Sequence, residues 1–236
     1  MGQSESKLKV TYDNDRFDIN SHSNFDQIKV SNIIYLFTKR CMDIIGSILG
    51  LILTSPIFLI ISVIYLFGES KGPIFFKQQR FGKNGNLFYI YKFRSMVVNA
   101  DEKLKQNKEL YKKYIKNNYK LEQDEDPRIT KMGRFLRKTS LDELPQLFNV
   151  LKGDMSFVGP RPIVEEELRE YKDRKEHFLS VKPGITGYWQ VSGRSDVGYP
   201  ERTDLELYYI YHQSLFLDLK ILFGTVKAVI SKSGAY

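Results

Sequence analysis

Apolar and polar positions divide this chain into a few distinct regimes. From Met1 to about Ser31 the residues are polar, rich in Ser, Asn and Asp, without apolar clusters. Such a stretch buries too little surface to offset the entropy of ordering, and residues 1–32 are expected to form a mobile tail. With no early apolar run or cleavage site, it does not read as a signal peptide. From Ile44 to Phe67 there are 24 residues without a charge, about 36 Å of helix against a bilayer core of about 30 Å. A charge-free run of that length points to a membrane segment rather than a buried core helix. Ser55-Pro56 stands at its midpoint. Proline removes a backbone donor and bends the helix, and the Ser55 hydroxyl is placed to satisfy a freed carbonyl. Lys39 and Arg40 precede the run, while Lys71, Lys77, Arg80 and Lys83 follow it. Basic flanks on both sides conflict with a simple crossing. A helix–break–helix over 33–70 that dips in and returns resolves the conflict. Each arm, about 18 Å, is too short to span.

The rest, 71–236, reads as a cytoplasmic catalytic domain. Ile74–Phe81 and Leu87–Phe93 carry strand formers around the turn Gly82-Lys83-Asn84-Gly85-Asn86, whose Gly and Asn tolerate positive φ. A β-hairpin follows, with Lys92 and Arg94 on one face. Asn99–Asp126 is highly charged, with Leu110, Ile115 and Tyr119 too sparse for a core face, and reads as an exposed helix. Arg128, Lys131, Arg134 and Arg137 recur every three residues, as a solvated basic face or one that meets phosphates. A helix is expected to start at Ser140, run through Leu144 to about Lys152, and stop at Gly153. Glu165–Lys175 reads as a charged helix. Leu215–Ile230 is apolar with Lys220 and Lys227 on one face, suiting an interfacial or a core helix; the interface is preferred because a membrane segment already exists. The fold class is α+β: mostly helical and membrane-associated, with a β-hairpin and one re-entrant helix–break–helix.

Composition narrows the partners. The 236 residues carry 36 basic and 28 acidic side chains, a net charge of +8, which favours nucleic acid, anionic lipid or phosphorylated substrates. Mean hydropathy is −0.35, so most of the chain faces water. One cysteine, Cys41, excludes an intrachain disulfide. No zinc spacing or RNA-binding signature supports nucleic acid, and basic residues flanking a membrane segment already account for part of the charge.

The candidate chemistry centres on Arg137–Pro162. Asp142 and Glu143 sit side by side, with Arg134, Arg137 and Lys138 before them and Arg161 after. Ser140-Leu141-Asp142-Glu143 also matches a capping box, in which both acids serve only the helix start. Against that reading, a helix N-terminus attracts anions, and Gly159-Pro160-Arg161-Pro162 is a stiff turn that fixes an arginine. Further on, Lys182–Arg194 combines turn formers with the only tryptophan, Trp189. Its glycines allow close backbone approach to a ligand, and the indole is either a base-stacking surface or a structural residue.

Taken together, these residues resemble the bacterial sugar transferase family, the monotopic polyprenyl-phosphate phosphoglycosyl transferases, in their minimal form. The resemblance runs from about Phe37 to Tyr236. It rests on Ser55-Pro56, Lys92-Phe93-Arg94-Ser95-Met96, Asp126-Pro127-Arg128-Ile129-Thr130, Ser140 through Gln146, Gly159-Pro160-Arg161-Pro162, and Lys182-Pro183-Gly184-Ile185-Thr186-Gly187 through Gly193-Arg194, in that order. It implies transfer of a phosphosugar from a UDP-sugar to a polyprenyl phosphate such as undecaprenyl phosphate, with release of UMP. Asp142 is implied as the covalent nucleophile, Glu143 as its partner, both as ligands of Mg²⁺, and Arg137 and Arg161 as phosphate-binding groups. Lys92 and Arg94 join the phosphate-binding candidates, and Pro160, Pro162, Trp189, Gln190 and Arg194 the nucleotide or sugar candidates. The implied setting is the cytoplasmic face of the bacterial inner membrane, with downstream glycosyltransferases as further partners. An unperturbed aspartate, with a pKa of about 3.9, would be ionised without help. The rival readings are a basic lipid-binding scaffold without catalysis, which predicts no UMP release, and a lipid phosphatase, which predicts phosphate instead of UMP.

Overall fold

A computed structural model describes residues 33–116, 121, 126–192 and 197–230; the expected N-terminal tail, Tyr119 and Arg194 lie outside these. The apolar segment is one helix, α1, Ile33–Ile64, with Pro56 inside it. Two separate helical arms are therefore not observed. The break is bridged locally: proline at 56 leaves the Ile52 carbonyl without its usual donor, and the Ser55 hydroxyl donates to that oxygen at 2.8 Å. Among the described residues α1 is the one helix long and apolar enough to cross a membrane.

Both halves of α1 are fastened to the same body. Near its start, Tyr35 and Lys39 donate to Asp218 at 3.1 and 2.7 Å. Arg40 holds the carbonyls of Val150 and Leu151, and Asp43 accepts from Ser156 Oγ and the Phe157 N–H. Near its end, Ile61 and Tyr65 are buried with Phe93 and Leu136, and the Phe58 ring lies 4.9 Å from that of Phe93. The opposite flank, including Ile48, Ile52, Leu53, Leu59 and Ile60, is exposed.

The expected hairpin forms from β1, Phe75–Phe81, and β2, Leu87–Phe93, paired antiparallel from Phe75↔Phe93 to Phe81↔Leu87. Its turn uses positive φ at Asn84 and Gly85, as those residue types suggest. Among its described residues the charged region forms two short helices, α2 (Ala100–Gln106) and α3 (Lys108–Lys116), and contributes one buried hydrophobic residue, Leu104. Helix α4, Lys131–Lys138, is capped by the Thr130 hydroxyl. It packs so tightly behind β2 that a Cβ at Gly133 would stand 1.8 Å from the Ser95 carbonyl oxygen.

The next helix, α5, is Gln146–Lys152 and ends at Gly153 in the left-handed region, as expected. Its start differs: Ser140 has φ 56° and makes no side-chain cap, and Leu141–Glu143 form a 3₁₀ turn. The capping box is not built. Leu141 and Leu144 pack against the Phe93–Leu136 cluster instead, so tertiary burial overrides the local pattern.

A second, parallel sheet pairs β3 (Ser156–Val158) with β4 (Gly184–Thr186). Two glycines permit the approach: a Cβ at Gly184 or Gly187 would come within 2.2 Å of Gly159 backbone atoms. The close approach these glycines allow is thus to the same chain, not to a ligand. The expected charged helix at 165–175 is split into α6 (Glu165–Leu168), a 3₁₀ stretch kinked at Lys172, and α7 (Lys175–Leu179). Helices α8 (Tyr188–Ser192), α9 (Glu201–Tyr211) and α10 (Leu215–Ile230) complete the larger core around Val158, Ile163, Tyr171, Leu207 and Ile221. The core reading of α10 holds on one side, where Asp218 and Ile221 are buried; on the other, Phe216 and Phe223 are 79% and 73% exposed.

Candidate active site

The 3₁₀ turn at Leu141–Glu143 points its two acids into different environments. Asp142 is 9% exposed, and among the described residues no other side chain hydrogen-bonds its carboxylate. Burial pushes this carboxyl up to about 6, with Glu143 adding to the rise and Lys92 and Arg137 pulling against it. The expectation of an unperturbed, fully ionised aspartate is corrected accordingly: desolvation holds its titration near neutrality. Glu143 stands at the end of a 2.7 Å bond from the Lys92 ammonium. Burial alone would raise it, but Lys92, by charge and hydrogen bond, and then Arg161 hold it below the ordinary glutamate range.

The cations reach the pair from three elements. Lys92 comes from β2. Arg137 comes from the last turn of α4, its Nε donating to Ser95 Oγ at 2.8 Å. Burial pulls the Arg137 guanidinium down, and Asp142 and Asp126 offset part of this. Arg161 follows β3 in the Gly-Pro-Arg-Pro turn, where its backbone N–H donates to Glu206 at 3.2 Å. Among the described residues its guanidinium has no hydrogen-bond or ion-pair partner.

Other candidates lie differently. Arg94 is buried, and its guanidinium donates to the carbonyls of Pro73, Met96 and Ser70 and stacks over Tyr65. Strand β2 ends at Phe93, so Arg94 does not share the dyad-facing side with Lys92; it knots the chain after α1 to the end of the hairpin. The spaced basic series does not form one face either: Arg128 is buried and paired with Asp126 at 2.8 Å, whereas Lys131 and Arg134 are exposed. Pro160 and Pro162 are buried, and the Pro160 carbonyl takes the Gly184 N–H. Trp189 donates to the Val197 carbonyl and lies under Arg202 at 4.3 Å, which makes it structural on the ring face that Arg202 covers. Gln190 on α8 packs over Gly187.

Two supporting residues escaped the sequence reading. Ser95 aims Arg137, and its place in the Lys-Phe-Arg-Ser-Met run was the available signal. Glu206 fixes the Arg161 turn and is 1% exposed; the signal was an acid inside the run Leu205-Glu206-Leu207-Tyr208-Tyr209-Ile210.

Among the described residues no cluster of three or more His, Cys, Asp or Glu could hold a metal. Two adjacent carboxylates, one of them without a side-chain partner among the described residues, still fit Mg²⁺, which keeps several waters and completes its shell with substrate phosphates.

Comparison with known proteins places the chain in a family. A family profile described as bacterial sugar transferase matches residues 34–232. An undecaprenyl-phosphate galactose phosphotransferase of Salmonella typhimurium is 51% identical over 203 residues, covering 85% of this chain and 42% of the relative. The exopolysaccharide production protein ExoY of Sinorhizobium fredii is 44% identical over 203 residues, 84% of this chain and 88% of the relative. A UDP-glucose:undecaprenyl-phosphate glucose-1-phosphate transferase of Klebsiella pneumoniae is 44% identical over 212 residues, 86% of this chain and 42% of the relative. The chain thus spans about two-fifths of the first and third relatives and most of the second. With the profile covering nearly all described residues and relatives at this identity, the chain belongs to the bacterial sugar transferase family.

Proposed function

We propose that this protein transfers a phosphosugar from a UDP-sugar to a membrane polyprenyl phosphate, releasing UMP, through a covalent intermediate on Asp142. The names of its relatives support the donor and acceptor classes. The observation that carries the mechanism is a buried aspartate without a side-chain partner, beside a glutamate locked to Lys92 and within the electrostatic reach of Arg137.

The ionised Asp142 oxygen attacks the phosphorus that bears the sugar. The bond to the bridging oxygen breaks, and UMP leaves with that electron pair. A phosphate oxygen of the polyprenyl acceptor then attacks the same phosphorus and releases Asp142, forming a polyprenyl diphosphosugar. A buried carboxylate near its pKa is a better nucleophile than an exposed one, because it carries less water to shed. Arg137 and the uncommitted Arg161 offset repulsion between carboxylate and diphosphate and stabilise developing charge. Lys92 keeps Glu143 ionised and oriented. Mg²⁺, held by Asp142 and Glu143, would supply further neutralisation of the diphosphate.

The double fastening of α1 supports a membrane setting in which the helix does not cross. A helix whose two halves are bonded to one body cannot have that body on one side of a bilayer and its far end on the other. It lies instead along the interface, exposed flank in lipid, or dips and returns with the body beneath it. The basic residues before and after it then share the cytoplasmic face, and Asp142 sits near the headgroups where the acceptor phosphate is.

The test incubates detergent-purified protein with Mg²⁺, polyprenyl phosphate and a panel of UDP-sugars while following UMP. Without acceptor, intact mass should show a phosphosugar adduct on the wild type. Asp142→Asn should lose both adduct and turnover, by about 10³-fold or more in rate. An undiminished adduct in that variant rejects Asp142 as nucleophile; phosphate release in place of UMP rejects the reaction.

A further inference from the structure

A cavity of about 230 Å³ opens beside the first turns of α1, lined by Lys39, Arg40, Asp43, Lys83 and Lys182 among others. The dyad cations Lys92, Arg137 and Arg161 are not among its lining residues. Four cations and one carboxylate line this cavity, and that carboxylate, Asp43, is already held by Ser156 and Phe157. Lys39 is paired with Asp218. Arg40 donates to the neutral carbonyls of Val150 and Leu151 and has no direct ion pair among the described residues, with Asp43 in electrostatic reach of it and of Lys182, leaving the positive charges in excess. Lys83 and Lys182 have no hydrogen-bond or ion-pair partner among the described residues.

The crowding is close. An Arg40 terminal nitrogen and the Lys182 ammonium each lie 3.3 Å from where a Cβ on Gly153 would stand. Burial, and after it the neighbouring Arg40, pull the Lys182 ammonium below its usual range, with Lys83 contributing. A half-buried ammonium beside a guanidinium is unfavourable unless something anionic completes the group. We propose that this cavity is a second anion site, taking a phosphate ester that is not a substrate of the dyad. Its wall suggests the source. Leu36 lines the cavity and is 42% exposed, next to Phe37 at 70%. A phospholipid could place its phosphate among Lys83, Arg40 and Lys182 and lay its acyl chains on the apolar flank of α1. Free phosphate shares the headgroup chemistry, so the experiment separates the two.

The full chain, purified in detergent, is exchanged into phosphatidylglycerol or into inorganic phosphate, and bound ligand is counted by native mass spectrometry and titration. The double variant Lys83→Gln/Lys182→Gln is compared with Lys103→Gln/Lys105→Gln, which removes the same charge from exposed positions on α2. Wild type and the α2 control should each retain about one phosphatidylglycerol, and the cavity variant should bind at least about tenfold more weakly. Saturable inorganic phosphate binding lost in the same variant, with no lipid retained, supports the anion site and assigns it to soluble phosphate. Equal weakening in both double variants, or no saturable binding of either ligand to wild type, overturns the proposal. UMP release followed in detergent should be unchanged in the cavity variant, so a failure of this site and a failure of the Asp142 reading give different results.

Discussion

Two regions of this protein set acids against bases, to opposite effect. Around α9 the charges close on each other. Glu206 accepts from Tyr171, from the Arg161 N–H and from Arg202, and Glu167 accepts from Arg202 and Arg80. Arg202 completes the group by lying over Trp189 and Tyr199. Around the 3₁₀ turn Glu143 is paired with Lys92, but other charges stay open: among the described residues Asp142 has no side-chain hydrogen-bond partner and the Arg161 guanidinium none at all. A buried ion network whose members answer one another fixes shape. A buried acid left unanswered costs stability and is retained where a ligand supplies the missing partners. The two meet at Arg161, whose backbone belongs to the closed network and whose side chain belongs to the open one.

The largest effect should come from opening the closed region. Glu206→Ala strips the shared acceptor from Tyr171, Arg202 and the Arg161 N–H and leaves those buried donors unanswered, which should cost about 3–5 kcal/mol, read as a drop in the denaturant midpoint, with weaker UDP-sugar binding because the Arg161 turn loosens. A midpoint near wild type would mean that the two regions do not differ as described. Next comes Asp142→Asn, which relieves the open region. The folded-state pKa, about 6, lies above the unfolded value, so ionisation opposes folding. The penalty is absent below about pH 3.8 and complete above about pH 6. The variant should therefore gain up to about 3 kcal/mol at pH 7 and nothing at pH 3.5, while losing turnover; equal midpoints at both pH values would refute the burial cost. A smaller effect is expected from Lys92→Met. Lys92 lowers both acids, so the acid limb of kcat/KM, near pH 6 in the wild type, should move to higher pH. A limb that moves down or stays would remove Lys92 from the site. Smallest of all, Ser140→Ala should change stability by no more than about 0.5 kcal/mol, since no cap exists to lose.

Local chemistry was legible from residue order. Asn84-Gly85 announced the hairpin turn, Gly153 the end of α5, and Ser55 the repair of the proline gap. What depended on distant partners was not. The Ser140–Glu143 box looked like a helix start because its spacing is right, yet burial of Leu141 and Leu144 against Phe93 and Leu136 delays α5 to Gln146. Strands β3 and β4 have three residues each, too few for a period, and their pairing depends on the close backbone approach that glycines at 159, 184 and 187 permit. Lys92 and Arg94 looked equivalent by alternation; Tyr65 and the carbonyls of residues 70–73 decide otherwise by claiming Arg94. The dyad and its arginines were named in advance, but the unequal titration of the two acids comes from burial that no spacing records.

The double fastening of α1 also bears on the lipid host. A helix threaded through a bilayer must match its hydrocarbon thickness by tilting or by deforming the lipid. In the membrane setting proposed above, a helix clasped along its length by Asp218, Asn149's helix and the Phe93 cluster would touch one leaflet alone. Longer acyl chains would then push the opposite leaflet away without lifting Asp142, and on the proposed function catalysis should tolerate wide changes in membrane composition at constant headgroup chemistry.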